Sequence, residues 1–225
     1  MARNVWLCLF FWWIGASVAA AQTMSQWVDS VFNTLSLDQK IGQMMIREID
    51  GEASALKINE IESHINSYGI GGLIFIGGGD PVRQAMLTNR LQASSKVPLL
   101  ICMNAETSLA DRLDSTLRFP KPIQLGAMRD ENLMYELGTE IAHELRALGV
   151  HMNFGPMATL SHSSADSTVM TTYGEGKDNV ISRCKNYIKG LQDHGVLACV
   201  KQGPARNMTT LNLHKGVPIM LPYSD

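Results

Sequence analysis

Two cations occupy places from which a parallel α/β sheet builds ligand sites. Lys201 follows the apolar run Val196–Val200, and Arg112 lies in the polar stretch after the run Val97–Met103. Both are therefore expected at or just beyond strand ends, where barrels put their ligand contacts. Asn104 and Glu106 open that same polar stretch, one an amide that can donate and accept, the other a carboxylate that can accept or pair with a cation. His214 supplies an imidazole able to carry a proton near neutral pH. His143, His151, His162 and His194 share no spacing and are expected to be solvated or incidental. No Cys/His pattern has the spacing of a metal site. There is also no nucleophile elbow or phosphate loop, and Gly77-Gly78-Gly79 reads as a tight turn. The site is thus expected to need no metal and no cofactor.

The elements that must hold these residues are legible as alternating patterns. Strand candidates are Ile41–Ile46, Gly71–Ile76, Val97–Met103, Val150–Phe154 and Val196–Val200. Met134, Leu137, Ile141, Leu145 and Leu148 recur at helical spacing, as do Val180, Cys184, Tyr187 and Leu191, and Trp27 to Leu35 forms an earlier amphipathic segment. Gly149 and Gly195 each stand one residue before a strand, as left-handed helix caps do, and Gly69 repeats the pattern before Ile70. Asp80-Pro81 is an N-cap and first-turn pair.

Continuous apolar strands between helices imply a parallel sheet covered on its faces. Five strand candidates in the 204 residues after residue 21 fall short of the eight that close a (β/α) barrel. On pattern alone, an open doubly wound sheet is favoured.

Residues 1–21 read as an export signal: Arg3, then the short apolar run Val5–Ile14, then Ala19-Ala20-Ala21 before Gln22. The run is too short to span a bilayer, and Trp6-Leu7 before Cys8 does not suit lipoprotein cleavage, so no membrane anchor is expected. A domain over residues 22–225 and a periplasmic or extracellular location follow as expectations. A net charge of −2 gives no reason to expect a nucleic-acid partner. Cys102, Cys184 and Cys199 are expected to be free, since a chain of this size builds a core without staples.

Several blocks, in order, resemble the N-terminal domain of family 3 glycoside hydrolases, particularly the β-N-acetylglucosaminidase branch. Leu35-Ser36-Leu37-Asp38-Gln39-Lys40-Ile41-Gly42-Gln43 resembles that family's opening phrase, and Gly69–Phe75, Thr88–Gln92 and Val97–Ile101 follow in its order. Lys201, Pro204, His214, Lys215, Pro218 and Ile219 keep the register of its loop Lys-His-Phe-Pro-Gly-His-Gly, four residues, then Asp-Ser-His. The resemblance implies a (β/α) barrel of which these residues carry about five of eight repeats. It also implies an open sheet edge at Val196–Val200 that a partner chain or the C-terminal tail would cover.

The same resemblance assigns roles and shows substitutions. His214 matches the general acid and base, but Asn212 replaces the carboxylate expected to hold it. Asn104-Ala105-Glu106 stands where the family writes Asp-x-Glu, and Thr107-Ser108 replaces a glycine pair. Arg112 and Lys201 match family cations, Thr171 replaces a sugar-binding Arg, and Gln202 replaces a His. The family nucleophile lies on a later strand than these residues reach, so the nucleophile is expected to be absent. Three functions follow for comparison: an exported β-N-acetylglucosaminidase, a degenerate non-catalytic relative that binds a glycan or a protein, and a decayed copy. The substitutions favour the latter two.

Overall fold

The computed structural model describes residues 23–161 and 169–201. It divides into a short N-terminal unit ending at Leu37 and a larger unit from Asp38 onward. Helix α1 (Met24–Thr34) belongs to the first. Thr23 and Gln26 cap it reciprocally, with the Thr23 N–H donating to Gln26 Oε1 at 2.9 Å and the Gln26 N–H donating to Thr23 Oγ1 at 3.3 Å. The amphipathic segment beginning at Trp27 is therefore a helix, as its spacing predicts.

In the second unit α2 (Leu37–Gly42) leads into β1 (Ile46–Ile49), α3 (Ala55–Tyr68), β2 (Gly72–Phe75), α4 (Pro81–Ala93) and β3 (Leu100–Met103). A 3₁₀ turn (Leu109–Asp111), α5 (Pro122–Gly126) and α6 (Asn132–Ala147) follow. After them come β4 (Met152–Asn153), a second 3₁₀ turn (Val169–Thr171), α7 (Lys177–Asp193) and β5 (Leu197–Ala198).

All neighbouring strands are parallel and the sheet order is β1-β2-β3-β4-β5. Sequential order excludes the doubly wound arrangement, whose strand order reverses at a switch point. The sheet is a (β/α)-barrel-like arc of five parallel strands. Among the described residues, β1 and β5 each pair on one side only.

One strand candidate is displaced. Ile41 ends in α2 rather than in a strand, because the N–H groups of Gln43, Met44 and Met45 turn back to the carbonyls of Gln39, Ile41 and Gly42. The apolar residues Met44 and Met45 fill this turn, and the strand begins only at Ile46. As an edge strand, β1 reads Ile-Arg-Glu-Ile instead of a continuous apolar run, which is why the pattern misplaced it. The other strands fall inside their expected runs but are shorter. The ladder continues past β4 through the Phe154 N–H to the Met103 carbonyl, and past β5 through the Cys199 N–H to the Asn153 carbonyl, each at 2.9 Å.

The register sorts side chains into two faces. Ile49, Phe75, Met103 and Asn153 lie in one row and are at most 1% exposed against the helices. Glu48, Ile74, Cys102, Met152 and Leu197 form the alternate row on the opposite face. Gly149 and Gly195 take left-handed φ of 72° and 78°, as helix caps before inward strands require. Asp80 caps α4 by accepting from the Arg83 N–H at 2.9 Å. All three described cysteines are free. Burial pushes the Cys102 and Cys184 thiols up to about 11, so both are protonated and serve as packing groups.

Helices α6 and α7 meet through facing glycines. A Cβ on Gly138 would overlap the Tyr187 carbonyl oxygen, and one on Gly190 the Tyr135 carbonyl oxygen. Gly138→Ala should therefore destabilise the domain by about 2 kcal/mol despite alanine's better helix propensity. Urea unfolding measures this, and an unchanged or raised midpoint would contradict the close packing.

Candidate functional site

Lys201, Asn104 and Glu106 converge beyond the C-terminal ends of β3 and β5. Lys201 is set by backbone first: its N–H donates to the Pro156 carbonyl and its carbonyl accepts from the Ala158 N–H, both at 3.1 Å. Its ammonium then donates to Asn104 Oδ1 at 2.9 Å and pairs with the Glu106 carboxylate. The Lys201 and Glu106 side chains are 24% and 19% exposed, so this is a half-desolvated pair rather than a screened surface contact. A charge so placed is worth more than one in bulk water.

Glu106 sits above a neutral floor. Tyr187 is fully buried and Tyr173 is 2% exposed. Burial, then the neighbouring Tyr187, Cys184 and Glu106, hold the Tyr173 phenol well above its ordinary range. Burial and Glu106 raise Tyr187 likewise. Both phenols are hydroxyl groups, not phenolates, at any physiological pH.

The residue between Asn104 and Glu106 is gripped from the core. The Ala105 N–H donates to Asn153 Oδ1 at 3.0 Å, and the Asn153 amide donates back to the Ala105 carbonyl at 2.7 Å and to the Tyr187 hydroxyl at 2.9 Å. The Tyr187 hydroxyl donates to the same carbonyl at 3.2 Å. Thr107 and Ser108, which stand in place of a glycine pair, are buried. The Ser108 hydroxyl donates to the Leu117 carbonyl at 2.6 Å and accepts from the Ala110 N–H at 3.0 Å, folding this loop on itself.

Arg112 lies at the same end of the sheet, with its guanidinium donating to the Ile76 carbonyl at 2.9 Å. The loop after β3 is tied here to the loop after β2, where the Asp114 N–H donates to the Gly79 carbonyl at 3.0 Å. Of the four described residues singled out from the sequence, three are brought into direct contact and Arg112 belongs to the adjoining rim. His214, Gln202, Asn212 and residues 1–21 lie outside the described residues. Among the described residues no cluster of His, Cys, Asp or Glu could hold a metal, and no helix is long and apolar enough to cross a membrane.

Two histidines expected to be solvated or incidental, His143 and His151, are exposed, as expected, yet make specific contacts. The His151 ring is exposed at one side while its Nδ1 accepts from the Ile101 N–H at 3.0 Å, and partial desolvation lowers its pKa. His143 and His194 stack edge-on with ring centroids 5.1 Å apart, because the α6 and α7 glycines bring their helices together. Both contacts cross between elements, so sequence spacing could not reveal them.

Sequence reasoning missed Asn153 and Tyr187. The available signal was an amide inside the apolar run Val150–Phe154, since a buried polar group in a strand implies a partner. It also missed Asp50, which follows β1 and accepts from the Glu52 N–H at 2.8 Å.

With this geometry in hand, the comparisons with known proteins are specific. The family model described as glycosyl hydrolase family 3 N terminal domain matches residues 36–222. A β-hexosaminidase of Thiobacillus denitrificans is 28% identical over 159 residues, covering 67% of this chain and 44% of the relative. A family 3 β-N-acetylglucosaminidase from Paenibacillus sp. str. FPU-7 superposes with a TM-score of 0.67 at 31% identity, covering 76% of this chain and 34% of that one. A structure of the β-glucoside phosphorylase BglX bound to 2FGlc gives 0.71 at 26% identity, covering 81% and 32%. The chain thus spans less than half the length of each of these relatives.

The Lys201–Glu106 pair should be energetically coupled. A double-mutant cycle of Lys201→Met and Glu106→Gln, read by urea unfolding, is expected to give a coupling of about 1–2 kcal/mol. Additive losses would mean that the pair is no more than a surface contact.

Proposed function

The chain belongs to the glycosyl hydrolase family 3 N-terminal domain family, and from that premise we propose that it is a hexosaminidase-like saccharide-binding domain with weakened binding and no effective catalysis. The observation that carries this reading is the Lys201 ammonium donating to an amide oxygen at Asn104 as well as pairing with Glu106. A family member with Asp at this position has a second carboxylate with which to grip a sugar hydroxyl. An ionised acceptor makes a hydrogen bond of roughly 1.5–3 kcal/mol, against about 1 kcal/mol for a neutral one.

The saccharide class comes from the relatives. The Thiobacillus protein is named a β-hexosaminidase and the Paenibacillus structure a β-N-acetylglucosaminidase, which supports β-linked N-acetylhexosamine as the proposed ligand. Lys201, Glu106, Asn104 and Arg112 form the proposed binding side of the site, with no cofactor. His214 is the proposed acid and base. Its support in chemistry is poor, because Asn212 has no charge with which to hold an imidazolium or raise its basicity. Glycoside hydrolysis needs two opposed groups acting together, and misplaced proton transfer alone costs about 10²–10⁴-fold in rate.

We also infer that residues 1–21 direct export, on the strength of Arg3, the apolar run Val5–Ile14 and Ala19-Ala20-Ala21. The mature domain would then meet its saccharide in the periplasm or outside the cell.

Assay of the purified chain with an aryl β-N-acetylglucosaminide tests the reading. Release of the aryl group is expected at the rate of buffer alone. Turnover above that rate which disappears in His214→Ala would overturn it and make the chain an active hexosaminidase.

A further inference from the structure

Ala105 carries no reactive group, yet the core grips its peptide at both ends. Asn153 supplies a donor and an acceptor in one plane, matching the Ala105 N–H at 3.0 Å and the Ala105 carbonyl at 2.7 Å. No other uncharged side chain of that size offers both halves. Asn153 is itself anchored on either side, because it is in register with Met103 and with Ala198. Tyr187, from α7, completes the arrangement by accepting from Asn153 and donating to Ala105. Asn153 and Tyr187 are fully buried and Ala105 is 1% exposed. In such surroundings a polar network is costly unless every member is satisfied, and apolar residues of similar shape would fill the same space.

We propose that Asn153 and Tyr187 are positioning residues of the saccharide site: together they fix the Ala105 peptide and thereby aim the flanking Asn104 and Glu106 side chains at Lys201. The proposal rests on reading that mouth as the saccharide site, but the mechanical link it describes exists without ligand. Rotation of the Ala105 peptide would swing Asn104 and Glu106 away from the ammonium together. The Lys201 backbone cannot follow them, because it is held by Pro156 and Ala158, which leaves only its flexible side chain to close the gap. The core thus sets the spacing between the cation and its two acceptors.

The link is read without sugar, by competitive trace acetylation of the folded chain with mass-spectrometric quantification of each lysine. Lys201, held by two oxygens, is expected to react slowly relative to the exposed Lys96 and Lys177. Tyr187→Phe should raise the Lys201 ratio about tenfold by removing the hydroxyl's two buried hydrogen bonds, to Asn153 and Ala105, and Asn153→Leu should raise it further by removing both side-chain bonds that hold Ala105. Leu191→Ala, which truncates an equally buried residue on α7, should leave the ratio unchanged, as general loosening of the core does not act on Ala105. An unchanged ratio in either folded variant, or an equal rise in Leu191→Ala, would overturn the proposal. Amide hydrogen exchange in the unaltered chain decides independently of whether the variants fold: Ala105 should be protected, and exchange at the free-peptide rate would overturn the proposal alone. Failure of a folded Asn104→Asp, Thr171→Arg variant to gain any N-acetylhexosamine binding would instead count against the saccharide reading and leave the positioning link standing.

Discussion

Parallel pairing of Met103 with Asn153 ends the β3 ladder one residue before Asn104, and the geometry of the mouth depends on that point. From there the chain leaves the sheet carrying an amide, a clamped alanine and a carboxylate in succession. The next pairing step, Asn153 with Ala198, places β5 alongside, and Lys201 follows three residues beyond Ala198. Because every strand is parallel and sequential, all these departures occur at one end of the sheet. A change of strand order would scatter the same residues while leaving each local element intact.

Charge decides what this shared end can do. In the described part of the mouth, Glu106 answers Lys201 while Asn104 contributes only a dipole. Replacing a carboxylate by an amide keeps the shape and the acceptor atom, so the structure survives. On the proposed function, what weakens is the response to a sugar hydroxyl, which gains most from an ionised acceptor in a partly dry site. Thr107 and Ser108 behave differently. Their side chains are buried and Ser108 closes its own loop, so the loss of a glycine pair there is absorbed into local structure.

The sequence made the helices and their caps legible, because Gly149, Gly195 and Asp80-Pro81 encode local backbone geometry. It placed β2 to β5 within their apolar runs. It misplaced β1, because an edge strand with Arg47 and Glu48 lacks the apolar continuity on which the pattern depends. The register of the family blocks pointed to an arc of a barrel, whereas the count of five strands by itself favoured an open doubly wound sheet. At the site, Lys201 and Arg112 were identifiable from their positions at or after strand ends, and Asn104 and Glu106 from the resemblance to the family's Asp-x-Glu block. Asn153, Tyr187 and the His143–His194 contact were not, since each depends on partners 34 to 82 residues away or on helix packing. Such pairings exist only once the sheet register is set.

On the proposed function, the site keeps its geometry and has lost charges that would grip a sugar. Chemical-shift titration with N-acetylglucosamine, comparing the chain with an Asn104→Asp, Thr171→Arg variant, tests it most directly. No saturable shifts are expected for the chain at millimolar sugar, and saturable shifts around Lys201 are expected in the variant. Saturable sub-millimolar binding by the unaltered chain, or a folded variant that gains no binding, would contradict it.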